Sequence, residues 1–198
     1  MRIGVDIDDV LVDALPHFLA AFNARFAKAV PLEEADWGIF RAFPEIPATD
    51  RRAFWKTLEE ERFLFQRPVH PEAVAAINRL RDLGHDLFLV TGRLPWHRAP
   101  TLDWLTSQGL GEAFTDLLVR ELQRPREEHK REAATALRLE AFVEDERGTA
   151  EALVTLPLTV FLLDRPWNRG PALPGLKRVR DWAEILGRLT TVSGAVPI

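Results

Sequence analysis

Short apolar runs alternate along this chain with stretches whose apolar residues recur every three or four positions. The runs at 3–5, 87–90, 117–119, 141–143 and 159–163 predict five strands. Helical spacing predicts helices at 71–83, 97–107, 126–137, 149–153 and 178–189. Gly84 and Gly109 fall just past two of them, as C-terminal caps. Apolar strands alternating with helices read as a parallel sheet covered on both faces. The stretch 13–67 breaks this alternation. A helix at 13–28, with Asp13 as its N-cap and a stripe of Leu15, Phe18, Leu19, Phe22 and Phe26, precedes a proline-punctuated region. A second helix, capped by Thr49 or Asp50, ends near Arg62. With no strand in it, this stretch reads as a helical cap inserted after the first strand, hinged near 12–13 and 67–69. The core is then 1–12 and 68–189, and 190–198 a frayed tail.

Composition narrows the partners. The 198 residues are 46% hydrophobic and 28% charged, ordinary for a globular protein, with a net charge of -4. That balance argues against a nucleic-acid polymer or an anionic membrane, both of which want a basic face. No apolar run has transmembrane length. The absence of cysteine excludes disulfides and thiolate chemistry and fits a reducing, cytoplasmic setting. The five histidines lack ligand spacing, which argues against zinc. Basic residues are mostly arginine; lysine occurs only at Lys28, Lys56, Lys130 and Lys177.

The candidate chemistry sits at the strand ends. The first strand runs into Asp6, Asp8 and Asp9, the second into Thr91, Gly92 and Arg93, and the fourth into Glu144 and Asp145. In parallel sheets, ligands bind beyond the carboxyl ends of the strands. Clustered carboxylates there need a cation, and magnesium suits oxygen ligands shared with phosphate and water. Thr91 and Gly92 offer a hydroxyl and an open N–H to a phosphate, and Lys130 an ammonium. Arg93, Arg165 and Asn168 read as rim or structural residues. Trp37, Phe40, Phe54 and Trp55 are candidates for a pocket that stacks on a base, although aromatics at helical spacing more often form a core.

VDIDDVLVD, LFLVTGR, Lys130 and FVEDE, in this order, resemble the four motifs of the haloacid dehalogenase superfamily of phosphatases. The insertion after the first motif resembles a C1-type cap. IDDVLVD, Trp37, Pro68 with Val69, and LLDRPWNR resemble the 5′(3′)-deoxyribonucleotidase (5′-nucleotidase type C) group. The resemblance implies a Rossmannoid α/β core with a parallel five-stranded sheet, and a magnesium-dependent phosphomonoester hydrolase. In it Asp6 would be the nucleophile that forms a phosphoaspartate and Asp8 the general acid/base. Asp6, the Asp8 carbonyl and Asp145 would hold Mg2+, with Glu144 further out. Thr91, Lys130 and the N–H groups of Asp9 and Gly92 would hold the phosphoryl group. Two positions depart from the pattern: Asp9 stands where many relatives have Gly, and Glu144 where an Asp-Asp pair is common. The expected substrate is a (deoxy)nucleoside monophosphate, with a sugar phosphate, phosphoglycolate or non-catalytic phosphate binding as alternatives.

Overall fold

The structure, a computed structural model, describes residues 1–193, of which 191–193 are described by their backbone alone. Six strands form one parallel sheet: β1 (Arg2–Val5), β2 (Asp86–Thr91), β3 (Asp116–Val119), β4 (Ala141–Glu144), β5 (Thr159–Leu163) and β6 (Leu176–Val179), in the order β3-β2-β1-β4-β5-β6. Helices α3 (Pro71–Asp82), α4 (Arg98–Ser107), α5 (Arg126–Ala136), α6 (Arg147–Leu153) and α7 (Trp182–Ser193) cover it. Residues alternate in the two faces as strand geometry requires. Leu87 and Leu89 point into a cluster with Ile77, Leu80, Trp104, Trp182 and Ile185. Phe88 and Val90 point into another with Ala133, Ala134, Phe142, Leu153 and Leu162. Gly4, in the central strand, leaves room for close packing: a Cβ there would lie 2.6 Å from side-chain atoms of Leu139 and Phe142.

The sheet has six strands where the sequence predicts five. The sixth, LKRV, lies at the sheet edge with Lys177 exposed, Leu176 and Arg178 half-buried and only Val179 buried, so it carries no apolar run. The expected helix from 178 accordingly starts at Trp182, and it runs through the expected start of the tail at 190 to Ser193; the rest of that tail lies outside the described residues.

Between β1 and α3 the chain makes α1 (Leu15–Phe26), α2 (Ala48–Glu60) and three single 3-10 turns, at Leu32–Glu34, Ile39–Arg41 and Phe63–Phe65. These build their own hydrophobic cluster, in which Phe18, Phe22, Phe40, Phe54, Leu58 and Phe63 are buried. Neither helix is capped as its local sequence suggests. Asp13 forms no cap; it lies 3.3 Å from His70 Nε2. Pro47 precedes α2, with no side-chain cap from Thr49 or Asp50.

Candidate active site

Strand register assembles the site. Val5 of β1 pairs with Val143 of β4 and with Leu89 of β2, so the residues that follow leave the sheet side by side. β1 lies between β2 and β4, where the strand order reverses, the crevice in which doubly wound sheets bind ligands. Asp6, Glu144 and Asp145 are buried there, each with a carboxylate oxygen within 4.8 Å of the others. Burial pushes Glu144 and Asp145 well above the usual carboxylate range. Asp6 adds to this for both, and Asp9 does so for Asp145.

Lys130 reaches this cluster from the second turn of α5. Its Nζ donates to Asp6 Oδ2 at 2.6 Å and to Glu144 Oε2 at 2.8 Å. Burial opposes its charge, but the two carboxylates outweigh that and raise its pKa above the ordinary lysine value. One ammonium among three buried carboxylates leaves the donor set short of positive charge, and all three offer hard oxygen ligands. The residues therefore fit a divalent cation of the magnesium type. Asp6 Oδ1 accepts from the Ile7 N–H at 2.8 Å, and Asp145 Oδ2 from Trp167 Nε1 at 2.9 Å, which orients both acids.

The loop after β1 turns sharply at Asp9, whose φ of 64° is left-handed, a conformation that asparagine and aspartate tolerate best after glycine. Asp9 does not line the cavity beside these acids. Its fully buried carboxylate accepts from the N–H groups of Ala14 and Leu15 at 2.9 Å and so caps α1, the role expected of Asp13. Burial pushes this carboxyl up to about 7, although the two N–H groups pull the other way. The Asp9 N–H donates to the Val12 carbonyl at 2.7 Å, so it is already committed rather than free for a phosphate. Arg165 holds the Asp9 carbonyl, and Trp182 Nε1 that of Val10. Asn168 Nδ2 braces the carbonyls of Asp145 and Leu163.

Beyond the acids opens a cavity of about 490 Å³. Asp6, Asp8, Gly92, Lys130 and Asp145 line it, with Trp37, Trp55 and Trp96. Thr91 and Glu144 are absent from its wall; the Thr91 hydroxyl accepts from the Arg93 N–H at 3.3 Å. Phe40 and Phe54 belong to the interior of the insertion, where their rings pack edge-on at 5.9 Å; of the four aromatics expected to form a base pocket, Trp37 and Trp55 line the cavity. Sequence reasoning missed Trp96, Glu59 and His97: Glu59 of α2 accepts from His97 Nε2 at 2.8 Å and from Trp96 Nε1 at 3.4 Å, across 38 residues of sequence. Arg93, read from the sequence as a rim or structural residue, is buried and grips Asp8. A polar residue directly after a chemistry-bearing strand end was the one available signal.

This is a haloacid dehalogenase-like fold. At 14% identity, a solved "haloacid dehalogenase-like family protein" of Streptococcus pneumoniae superposes with a TM-score of 0.67 over 95% of this chain and 97% of its own. A solved "predicted phosphoglycolate phosphatase" of Haemophilus somnus does so at 0.66 and 19% identity, over 95% and 97%. In sequence, the chain is 24% identical to a "Putative nucleotidase" of Bacillus cereus over 93% of this chain and 96% of the relative. It is 26% identical to another of that name from Halalkalibacterium halodurans, over 92% and 89%. No protein-family model matches the chain. Among the described residues, no helix is long and apolar enough to cross a membrane.

Proposed function

We propose that this protein is a magnesium-dependent phosphomonoester hydrolase acting on nucleoside monophosphates. The observation that carries the reading is the buried constellation of Asp6, Asp145 and Lys130 at the floor of an open cavity, with Glu144 behind Lys130. Charges of this density in a dry site are tolerated when they serve a charged reactant. The Asp6 carboxylate attacks the phosphorus to form an acyl phosphate, while Asp8 gives a proton to the departing oxygen. Water then attacks the same phosphorus, Asp8 takes its proton, and inorganic phosphate leaves as Asp6 is regenerated. Lys130 offsets the negative charge that gathers on the phosphoryl oxygens. Asp6, Asp145 and the Asp8 carbonyl would hold Mg2+, which when bound screens the repulsion between carboxylate and phosphate. Glu144 fixes Lys130 from behind. The insertion acts as a cap that keeps bulk water from the acyl phosphate.

The base preference rests on the indole rings of Trp37, Trp55 and Trp96 in the cavity wall, together with the names of the two relatives in sequence. One feature favours a different small phosphate. Arg126 lines the same cavity, and among the described residues no carboxylate pairs with it, which suits a substrate with a second anionic group such as phosphoglycolate. Phosphate release from nucleoside monophosphates, sugar phosphates and phosphoglycolate, with magnesium, with EDTA and with Asp6→Asn, decides between them. Turnover of a nucleotide that vanishes with EDTA and with Asp6→Asn is expected. Turnover that survives Asp6→Asn removes the proposed mechanism.

A further inference from the structure

Arg93 is 3% exposed, and each of its three guanidinium nitrogens donates a hydrogen bond. Nε and Nη2 donate to the two carboxylate oxygens of Asp8, at 3.0 and 2.7 Å. Nη1 donates to Thr101 Oγ1 of α4 at 3.1 Å, and Nη2 also to the Leu64 carbonyl at 3.2 Å. The rings of Phe65 and Trp104 lie 5.2 and 5.3 Å from its central carbon. A single side chain thus joins the loop after β1, the body of the core, and the Phe63–Phe65 turn by which the insertion returns to the core.

A fork of two parallel N–H bonds fixes a carboxylate in both position and rotation, which a single ammonium contact does not. Around Arg93, Thr101 and Trp104 belong to the core, while Leu64 and Phe65 belong to the insertion. When that turn lifts away, one carbonyl acceptor and one ring face leave the guanidinium, and a long side chain regains rotamers it had lost.

We propose that Arg93 is a positioning residue for Asp8 and that the seated Phe63–Phe65 turn keeps it in place, so that the orientation of Asp8 depends on where the insertion sits. The catalytic half of this rests on the acid/base role proposed above for Asp8. The mechanical half does not.

Two phosphomonoesters separate positioning from mere scaffolding. A p-nitrophenyl leaving group departs without a proton, whereas an alkyl one needs it. Arg93→Gln in the full chain with magnesium should lower kcat/KM, which reports the steps up to leaving-group departure, about 100-fold on the alkyl ester, the size of a lost general acid, and leave kcat/KM on the nitrophenyl ester within about 3-fold. Arg93→Lys, which keeps the charge but not the fork, should fall between. Phe65→Ala, which leaves Arg93 and Asp8 intact, should show the same leaving-group dependence at about 10-fold. Equal losses on both esters, or none, overturn the positioning role.

Limited chymotrypsin digestion tests the mechanical half without turnover. Coupling is reciprocal, so Arg93→Gln and Asp8→Asn should both speed cleavage at the Phe63–Phe65 turn. Unchanged cleavage in both overturns the coupling. Should the wild type hydrolyse neither ester, the phosphatase reading and the positioning role fail together, and the digestion still decides whether Arg93 links Asp8 to the insertion.

Discussion

The crevice at the strand ends and the helical insertion above it are held together by opposite means. In the crevice, each polar group arrives on a different element, and backbone register places it: Asp6 after β1, Glu144 at the end of β4, Lys130 from α5. Their charges leave little freedom to change one without stranding another. The insertion coheres through rings. Phe22 meets Phe26, Phe40, Phe43 and Phe54 at centroid distances of 5.1 to 6.4 Å, in tilted and edge-on geometries that many aromatic combinations satisfy. The two regions meet through a few polar links, among them Glu59 with His97, Arg93 with Leu64, and Trp104 Nε1 donating to the Arg67 carbonyl. A crevice of interlocked charges that tolerates little change thus sits under an insertion of packed rings that tolerates much.

That contrast can be broken most violently at Lys130. Lys130→Met leaves Asp6 and Glu144 buried without their cation, which should destabilise the fold by about 3–5 kcal/mol. It should also lower kcat at least ~100-fold, through lost electrostatic stabilisation; urea unfolding and steady-state kinetics read the two effects. In the insertion, Phe54→Ala opens a cavity among rings and should cost about 3–5 kcal/mol of stability, with kcat of the folded fraction nearly unchanged. Trp55→Ala, at a residue 37% exposed in the cavity wall, should move stability within about 1 kcal/mol and raise KM for a nucleotide about 10-fold, in line with one lost stacking contact. A rise of the same size for a sugar phosphate would separate this residue from base recognition.

The smallest effect is a pH dependence. His129 is buried beside Lys130, and burial lowers its pKa below 6.5. Below 6.5 the unfolded chain binds this proton more readily than the folded one, so this stability is present at neutral pH and lost as pH falls. Thermal unfolding from pH 7 to about 5 should therefore steepen less on the acid side for His129→Gln than for the wild type.

The crevice was legible because its signal is local: an apolar strand that ends in acids needs no knowledge of distant partners. Register, set by the alternation of buried residues, did the rest. What escaped depends on pairs far apart in the chain. Arg93 and Asp8 are 85 residues apart, and the partner of each is invisible from its own neighbourhood. The cap of α1 was misplaced for the same reason on a smaller scale. Asp13 stands next to the helix in sequence, but the left-handed turn at Asp9 folds an earlier carboxylate back onto the first N–H groups. β6 escaped because an edge strand buries one side of alternate residues and never gathers an apolar run. In the insertion, rings at similar spacing divide between interior and wall: Phe54 is buried and its neighbour Trp55 is exposed, a consequence of the 100° that separates successive residues on one helix.

Asp9 has a mechanical consequence. One residue turns the loop behind Asp6 and anchors the N-terminal end of α1, and its own carbonyl is clamped by Arg165. The first connection to the insertion is therefore clamped from both sides, and α1 leaves the core as a beam fixed at its root. The return segment at the far end is held more lightly, with Leu64 and Phe65 resting on Arg93 through one carbonyl and one ring face.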